Sequence, residues 1–295
     1  MAKKEKIKRR FGDRKDARRV RDITGMAQIS CDLKPNRSVS DVFINQKMDV
    51  TELVKYVEKK KAKGENITYF QAFVAAIGKV FYNRPKLNYF VANRHIYEHN
   101  DVVISFVAKT SFDDKSEEMM VLVKIDPEDN ITSICKKIKD QVEYLRSDKY
   151  VKENANSAID TLAKLPNFIR VPLIGILKSM DRHGHLPAGL KENIYYSSII
   201  LSNLGSIKCG AIFHNINDFG ACSSLATMGE IKDEEVLING KKELRKIVEF
   251  GINLDERIAD GYYFAKSVKL LQYLFDNPKL LEGRADEKIE TNEIR

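Results

Sequence analysis

Tryptophan is absent from these 295 residues, and cysteine is scarce. The four cysteines, Cys31, Cys135, Cys209 and Cys222, include no CxxC or other short pair, which argues against a disulfide scaffold and points to reduced thiols. A zinc site drawn from His183, His185, Cys209 and Cys222 lacks the tight local ligand pairs of structural zinc, so no metal is expected. No GxGxxG or GxxxxGK occurs, which removes local support for a nucleotide phosphate loop. Long apolar runs are also missing. The most apolar stretch, Leu165 to Met180, is broken by Pro166, Arg170 and Pro172 and falls short of the roughly twenty residues a bilayer span needs. It is expected to pack on the body of the protein or to line a channel. With no apolar leader, a cytoplasmic protein without a membrane partner is expected.

What is present is a globular composition, 43% hydrophobic and 31% charged, enough to bury a sizeable core. At this length an α/β chain often remains one large domain. The net charge of +8 is local, because Met1 to Asp22 hold eleven Lys and Arg against four Asp and Glu, leaving thirty-nine basic and thirty-eight acidic residues beyond. Residues 1–22 are therefore expected to be a flexible basic segment, 23–285 one domain, and 286–295 a polar tail. The basic block could touch RNA or an anionic surface, but solvation of a chain end explains it equally, and a nucleic-acid partner is not expected.

Asp49, with Glu52 three residues on, has capping-box spacing for a helix whose inner face is Leu53, Val54, Tyr56 and Val57, and Gly64 ends it. A second helix starts at Thr68 with Gln71 as capping partner and runs to Pro85; it is apolar on most sides and should be central. Runs at 88–92, 95–98 and 102–109 predict an antiparallel meander, and 118–125 another strand. A helix follows with Ile131, Ile134, Cys135, Ile138, Val142 and Leu145 inward. Later, 195–201 predicts a strand ending in Ser202-Asn203-Leu204-Gly205-Ser206, and two strands at 223–231 and 244–254 are joined through an Asn239-Gly240 turn. A last helix covers 261–275. The elements mix α and β.

The segment from Ile252 to Gly261, INLDERIADG, joins a strand to this helix and clusters four charged residues. One reading is structural: Asp255 or Asp260 pairs with Arg257 and caps the helix. The other is an active site.

This segment resembles the C-terminal signature HxxxDG of dihydrolipoamide acyltransferases of 2-oxoacid dehydrogenase complexes and of chloramphenicol acetyltransferases. Asp255, Arg257, Asp260 and Gly261 fit, and Glu256 stands where the histidine is expected. The blocks Pro85-Lys86-Leu87-Asn88, Val102 to Lys109, Leu201 to Gly205, Phe219-Gly220 and Met228-Gly229 agree in order, over roughly 43–281. The resemblance implies the chloramphenicol acetyltransferase-like fold, an α+β two-layer sandwich on a mixed sheet. It implies a homotrimer with a channel at each subunit interface, acyl-CoA as co-substrate, and transfer to a thiol or other acceptor. It places Ser202 as oxyanion donor, Ser202 and Asn203 against CoA, Asp260 in a structural role, and Glu256 in the base's position. An unperturbed carboxylate, pKa ~4.3, is a weak base for a thiol of pKa ~8.5. A non-catalytic trimeric scaffold is the alternative reading. His214 falls after the Ser202 turn, where it could approach the channel. The short basic leader leaves no room for lipoyl and subunit-binding domains, so a free-standing form is expected.

Overall fold

Residues 10–11, 13–109, 118–147, 158–191 and 193–290 are described by a computed structural model of the chain. Period-two alternation builds the main sheet. In β7 (Ile199–Asn203), β8 (Ser224–Met228) and β10 (Lys241–Asp255), one face presents Ile199, Leu201, Ala226, Met228, Phe250, Ile252 and Leu254, all buried in one core. These strands join β2 (Asp41–Asp49), β5 (Val102–Lys109) and β6 (Glu118–Ile125) in the order β2-β10-β8-β7-β5-β6, with β9 (Lys232–Ile238) paired to β10. The β5–β7 and β7–β8 pairs are parallel and the rest antiparallel, so the sheet is mixed.

Helices cover the apolar face only. α2 (Thr51–Ala62) lies on β10, α3 (Tyr69–Asn83) on β5, α4 (Ile131–Leu145) on β6 and α7 (Gly261–Asp276) on β2. α3 is central, as its all-round apolarity predicts: Thr68 and Gln71 close a capping box, and Ala72 to Phe81 are all buried. Phe73 meets Phe250 of the sheet and Phe275 of α7 edge-on, with ring centroids 5.7 and 5.4 Å apart. The result is two layers, and among the described residues no helix packs extensively on the opposite face of the sheet.

Several local expectations are corrected. The 88–109 meander divides: β3 (Tyr89–Ala92) and β4 (His95–His99) join β1 (Ala17–Arg19) in a separate three-stranded sheet, while β5 takes β7 as a parallel partner. The Asp49–Glu52 capping box does not form, because Val50 occupies the cap and Asp49 is taken by the Thr51 N–H at 2.9 Å and by Arg245 at 2.7 Å. The 223–254 stretch is three strands, since β9 intervenes, and the Asn239-Gly240 turn, with φ of 50° and 80°, closes the β9–β10 hairpin.

The boundaries of the body also shift. Asp13 to Asp22, expected in a flexible segment, belong to the fold, while residues 1–9 and 12 lie outside the described residues. The physical reason is local neutralisation: Asp13 pairs with Arg19 and Arg21, and fully buried Arg14 with Asp16 and Asp181. A surplus of charge along the sequence does not reveal such pairing. At the other end, the Asp286 N–H donates to the Pro127 carbonyl, and buried Lys79 reaches the Glu287 carboxylate at 2.9 Å, so 286–290 follow the body. Residues 291–295 lie outside the described residues.

After α1 (Gly25–Leu33) and the short α5 (Ala158–Ala163), the apolar run 165–180 forms α6 (Asn167–Arg182). It does not bury itself: Phe168, Val171 and Ile176 are exposed. No helix among the described residues is long and apolar enough to cross a membrane.

Replacing Arg14 by Ala would leave Asp181, which is buried, without its cation. The expected loss is about 3 kcal/mol or more, read as a lower denaturation midpoint with an unchanged slope.

Candidate active-site cleft

The helix-free face of the sheet carries Ser202, Thr227 and Gly251 in one row, since Ser202 pairs with Thr227 and Thr227 with Gly251. Across it runs the loop 204–219. Its approach depends on missing side chains: a Cβ on Gly251 would stand 2.3 Å from the Ile212 carbonyl oxygen, and one on Gly229 2.9 Å from the Ala211 nitrogen.

Polar clamps hold the loop there. The Ile212 N–H donates to Thr227 Oγ1 at 3.0 Å, and Thr227 Oγ1 in turn donates to the Ile212 carbonyl. Asn253 Nδ2 donates to the His214 carbonyl at 2.6 Å, and Phe43 of β2 meets Phe213 edge-on at 5.5 Å. Further on, Asp218 accepts the Arg37 N–H at 2.7 Å. The buried Arg37 guanidinium donates to the carbonyls of Asn217, Gly220 and Val91. It thereby ties the loop to the small sheet.

Between loop and sheet lies a cleft of about 390 Å³, lined among others by Val107, Tyr195, Ser202, His214, Asn215 and Cys222. Its floor is a small apolar cluster of Ile194, Ile200, Ile216, Cys222 and Leu225. Burial raises the pKa of the Cys222 thiol, which donates to the Ser224 carbonyl, so it is no thiolate nucleophile. Among the described residues, neither the Ser202 hydroxyl nor the His214 ring has an intrachain hydrogen-bond partner. Both side chains are free to meet a ligand.

The charged junction lies elsewhere. Asp255 and Arg257 form a buried bidentate pair at 2.8 and 2.6 Å, and Arg257 Nη1 donates to the Lys34 carbonyl at 2.7 Å. Asp260 caps α7 by accepting the Tyr263 N–H at 2.8 Å. This is the structural reading of the segment. Glu256, partly exposed, forms an ion pair with Lys34 and is fixed by its own N–H to the Ser40 carbonyl at 3.0 Å. It stands five residues beyond Gly251, or roughly 17 Å along β10 at about 3.4 Å per residue. One chain therefore does not bring Glu256 to Ser202. Asn203 is exposed at the end of β7.

Under the loop, both carboxyl oxygens of Asp41 are buried without a hydrogen bond of good geometry. Burial raises its pKa, and nearness to Asn253 and the Ile216 backbone offsets this only in part. Arg37, Asp41, Thr227 and Asn253 all escape the reading by motif. A polar residue at an inward strand position, such as Thr227 or Asn253, is the signal that could have found two of them. No cluster of three or more metal-ligating side chains occurs among the described residues.

No protein-family model matches the chain. The lipoamide acyltransferase component of the branched-chain alpha-keto acid dehydrogenase complex of Bacillus subtilis (strain 168) is 22% identical over 246 residues, 81% of this chain and 48% of that protein. The chain thus spans about half the length of the curated relative it matches. Among solved structures, a probable dihydrolipoamide acetyltransferase from Listeria monocytogenes 4b F2365 superposes with a TM-score of 0.54, at 19% identity, over 88% of this chain and 94% of that one. A chloramphenicol acetyltransferase gives 0.53 at 10% identity, over 88% and 99%.

This is the chloramphenicol acetyltransferase-like fold. A third structure with that fold, a dihydrolipoamide acetyltransferase from Azotobacter vinelandii, has a TM-score of 0.54 at 15% identity over 89% of this chain and 93% of that one. Within the chloramphenicol acetyltransferase-like frame, the present chain puts Ser202 and His214 on one cleft and Glu256 and Asp260 at the far end of β10.

Two substitutions test this geometry. Gly251→Ala should push the loop off the sheet and cost about 1–3 kcal/mol in thermal unfolding. Asp41→Asn bears on pH. A carboxyl whose pKa is raised by folding contributes its stability below its unfolded pKa and loses it as pH rises through the folded value. Asp41→Asn should therefore unfold at a higher temperature than the parent at pH 7, with the gap closing near pH 3.

Proposed function

We propose that the protein is a CoA-dependent acyltransferase, moving an acyl group from acyl-CoA to a thiol acceptor in the Ser202 cleft. The observation that carries this is the Ser202 hydroxyl near the end of β7, without a partner among the described residues, on a cleft partly covered by a clamped loop in this fold. The name of the Bacillus subtilis relative points to a lipoamide-type dithiol as acceptor.

The chain's own residues would act as follows. Ser202 donates its hydroxyl proton as a hydrogen bond to the oxyanion that forms when the thioester carbonyl is attacked, which stabilises charge present only in the transition state. Ser202 and the exposed Asn203, at the end of β7, would meet CoA. Asp260 holds the start of α7, and so the turn that carries Glu256, in place. The apolar cluster under the loop keeps bulk water from the thioester.

Glu256 stands in the base's position and is engaged by Lys34. The Azotobacter vinelandii enzyme was studied for the role of a serine, a histidine and an asparagine in its catalytic mechanism, the last two four residues apart, as Glu256 and Asp260 are here. Because Ser202 and Glu256 are separated within one chain, a shared site would need two protomers, and a homotrimer would supply it. The exposed apolar side chains of Phe168, Val171 and Ile176 on α6 support association of copies. A second reading, a non-catalytic trimeric scaffold, is favoured by the Lys34–Glu256 pair itself, which occupies the carboxylate with a cation.

Ser202→Ala should lower acyl transfer from acetyl-CoA to dihydrolipoamide by about 10²- to 10³-fold with CoA affinity unchanged. A thiol-release assay and titration calorimetry measure the two quantities. Absence of CoA binding at millimolar concentration would remove the enzyme reading and leave the scaffold.

A further inference from the structure

We propose that His214 takes the acceptor's proton in this cleft, in the same chain as Ser202. The inference rests on the reading of the cleft as an acyl-transfer site. His214 and Ser202 line one cavity, the His214 ring has no intrachain hydrogen-bond partner among the described residues, and Glu256 lies at the far end of β10 engaged by Lys34.

Position alone would not make a base of an exposed loop residue, since a floppy imidazole spends little time in reach of its proton. This loop is not floppy. The segment around His214 is held at Ile212 by Thr227, at Phe213 by Phe43, at the His214 carbonyl by Asn253, and at Asn217 and Asp218 by Arg37, while Ile216 is buried beneath it. The clamp on residue 214 takes its backbone carbonyl and leaves the ring unused. Backbone fixation with a free ring is what a positioned base requires.

The other titratable side chains lining the cleft are Tyr195 and Cys222, and Cys222 is buried with its sulfur committed to the Ser224 carbonyl. The charged residues against the loop include Arg37, which meets Asn217 and the loop's own Asp218, Asp41 beside Ile216, Glu249 beside Gly210, and Glu230, whose N–H donates to the Cys209 carbonyl. Of the side chains lining the cleft, His214 is the one with a ring nitrogen open to take a proton and return it.

The step balances without a further reactant. The acceptor S–H gives its proton to a ring nitrogen of His214, and its sulfur forms a bond to the thioester carbonyl carbon while Ser202 holds the oxyanion. The carbon–sulfur bond to CoA then breaks, the CoA sulfur leaves with the electron pair, and the imidazolium returns the proton to it. Acyl-CoA and a thiol become a new thioester and free CoA.

The test uses the full chain, acetyl-CoA and dihydrolipoamide. His214→Gln keeps the carbonyl clamp and should lower kcat/KM at pH 7 by about 10²- to 10⁴-fold, with CoA binding unchanged. The loss should shrink toward pH 9, where a thiol of pKa ~8.5 ionises unaided. His185→Gln is the control and should change nothing. If His214→Gln keeps both the rate and the pH profile while Ser202→Ala loses the rate, His214 is not the base although the cleft reading stands. For a wild type without transfer activity, the readout is the His214 ring resonance, assigned by its loss in His214→Gln and followed during titration with a thioether analogue of acetyl-CoA. A ligand-induced shift supports the placement; an unmoved resonance at saturating ligand overturns it, and CoA that does not bind at all overturns the cleft reading with it.

Discussion

The site depends on one close approach, that of a loop's backbone to a sheet at the place where Gly251 has no side chain. With the Ile212 carbonyl oxygen 2.3 Å from where a Cβ would stand, any other residue would hold the loop off. Thr227 could then reach neither the N–H nor the carbonyl of Ile212, and Asn253, two residues along β10, could not meet the His214 carbonyl. Strand alternation puts Thr227, Gly251 and Asn253 on the same face as Ser202, opposite the helices. The cleft exists because the helix layer leaves this face open and a clamped loop covers only part of it.

Around it, burial of charge is made tolerable by saturation with hydrogen bonds rather than by ion pairing alone. A buried ion loses several kcal/mol of solvation, and an ion pair repays this only when the remaining donors and acceptors are also satisfied. Arg257 meets the condition with Asp255 and the Lys34 carbonyl, Arg14 with Asp16 and the Asp181 carbonyl, and Lys79 with two carbonyls and Glu287. Arg37 is the exception: among the described residues its guanidinium meets no carboxylate, three backbone carbonyls accept from its terminal nitrogens, and its buried Nε has no partner. These contacts join segments far apart in the chain, at 14 and 181, at 34 and 257, and at 79 and 287. The small N-terminal sheet, the loop and the C-terminal segment are thereby fastened to one body.

What could be read from residue order was what is encoded locally. The central helix announced itself through Thr68, Gln71 and Pro85, the β9–β10 turn through Asn239-Gly240, and the cap of α7 through Asp260. Partner choice was out of reach. β5 keeps β6 but leaves β4 for β7, which lies some ninety residues away, and β1 is three residues inside a charge block whose neutralisation by Asp13, Asp16 and Asp181 is partly distant. Asp49 had the right spacing for a cap and lost it to competition from Arg245. In the site, the order of motif blocks carried the fold and the position of Ser202 near the end of a strand. Lys34 opposite Glu256, 222 residues earlier, and Asn253 under His214 are contacts that only the folded chain creates.

The distance between Glu256 and Ser202 sharpens the chemical question more than the identity of the replaced residue does. An exposed ion pair such as Lys34–Glu256 is worth only about 0–1 kcal/mol, so Lys34 alone would not prevent a carboxylate from acting. Reach weighs more than that pairing. A carboxylate would need a second protomer to bring it to the Ser202 cleft, whereas His214 is already there on a fixed backbone. In the proposed mechanism the proton acceptor therefore sits on the clamped loop of the chain that carries Ser202, and not at the end of β10.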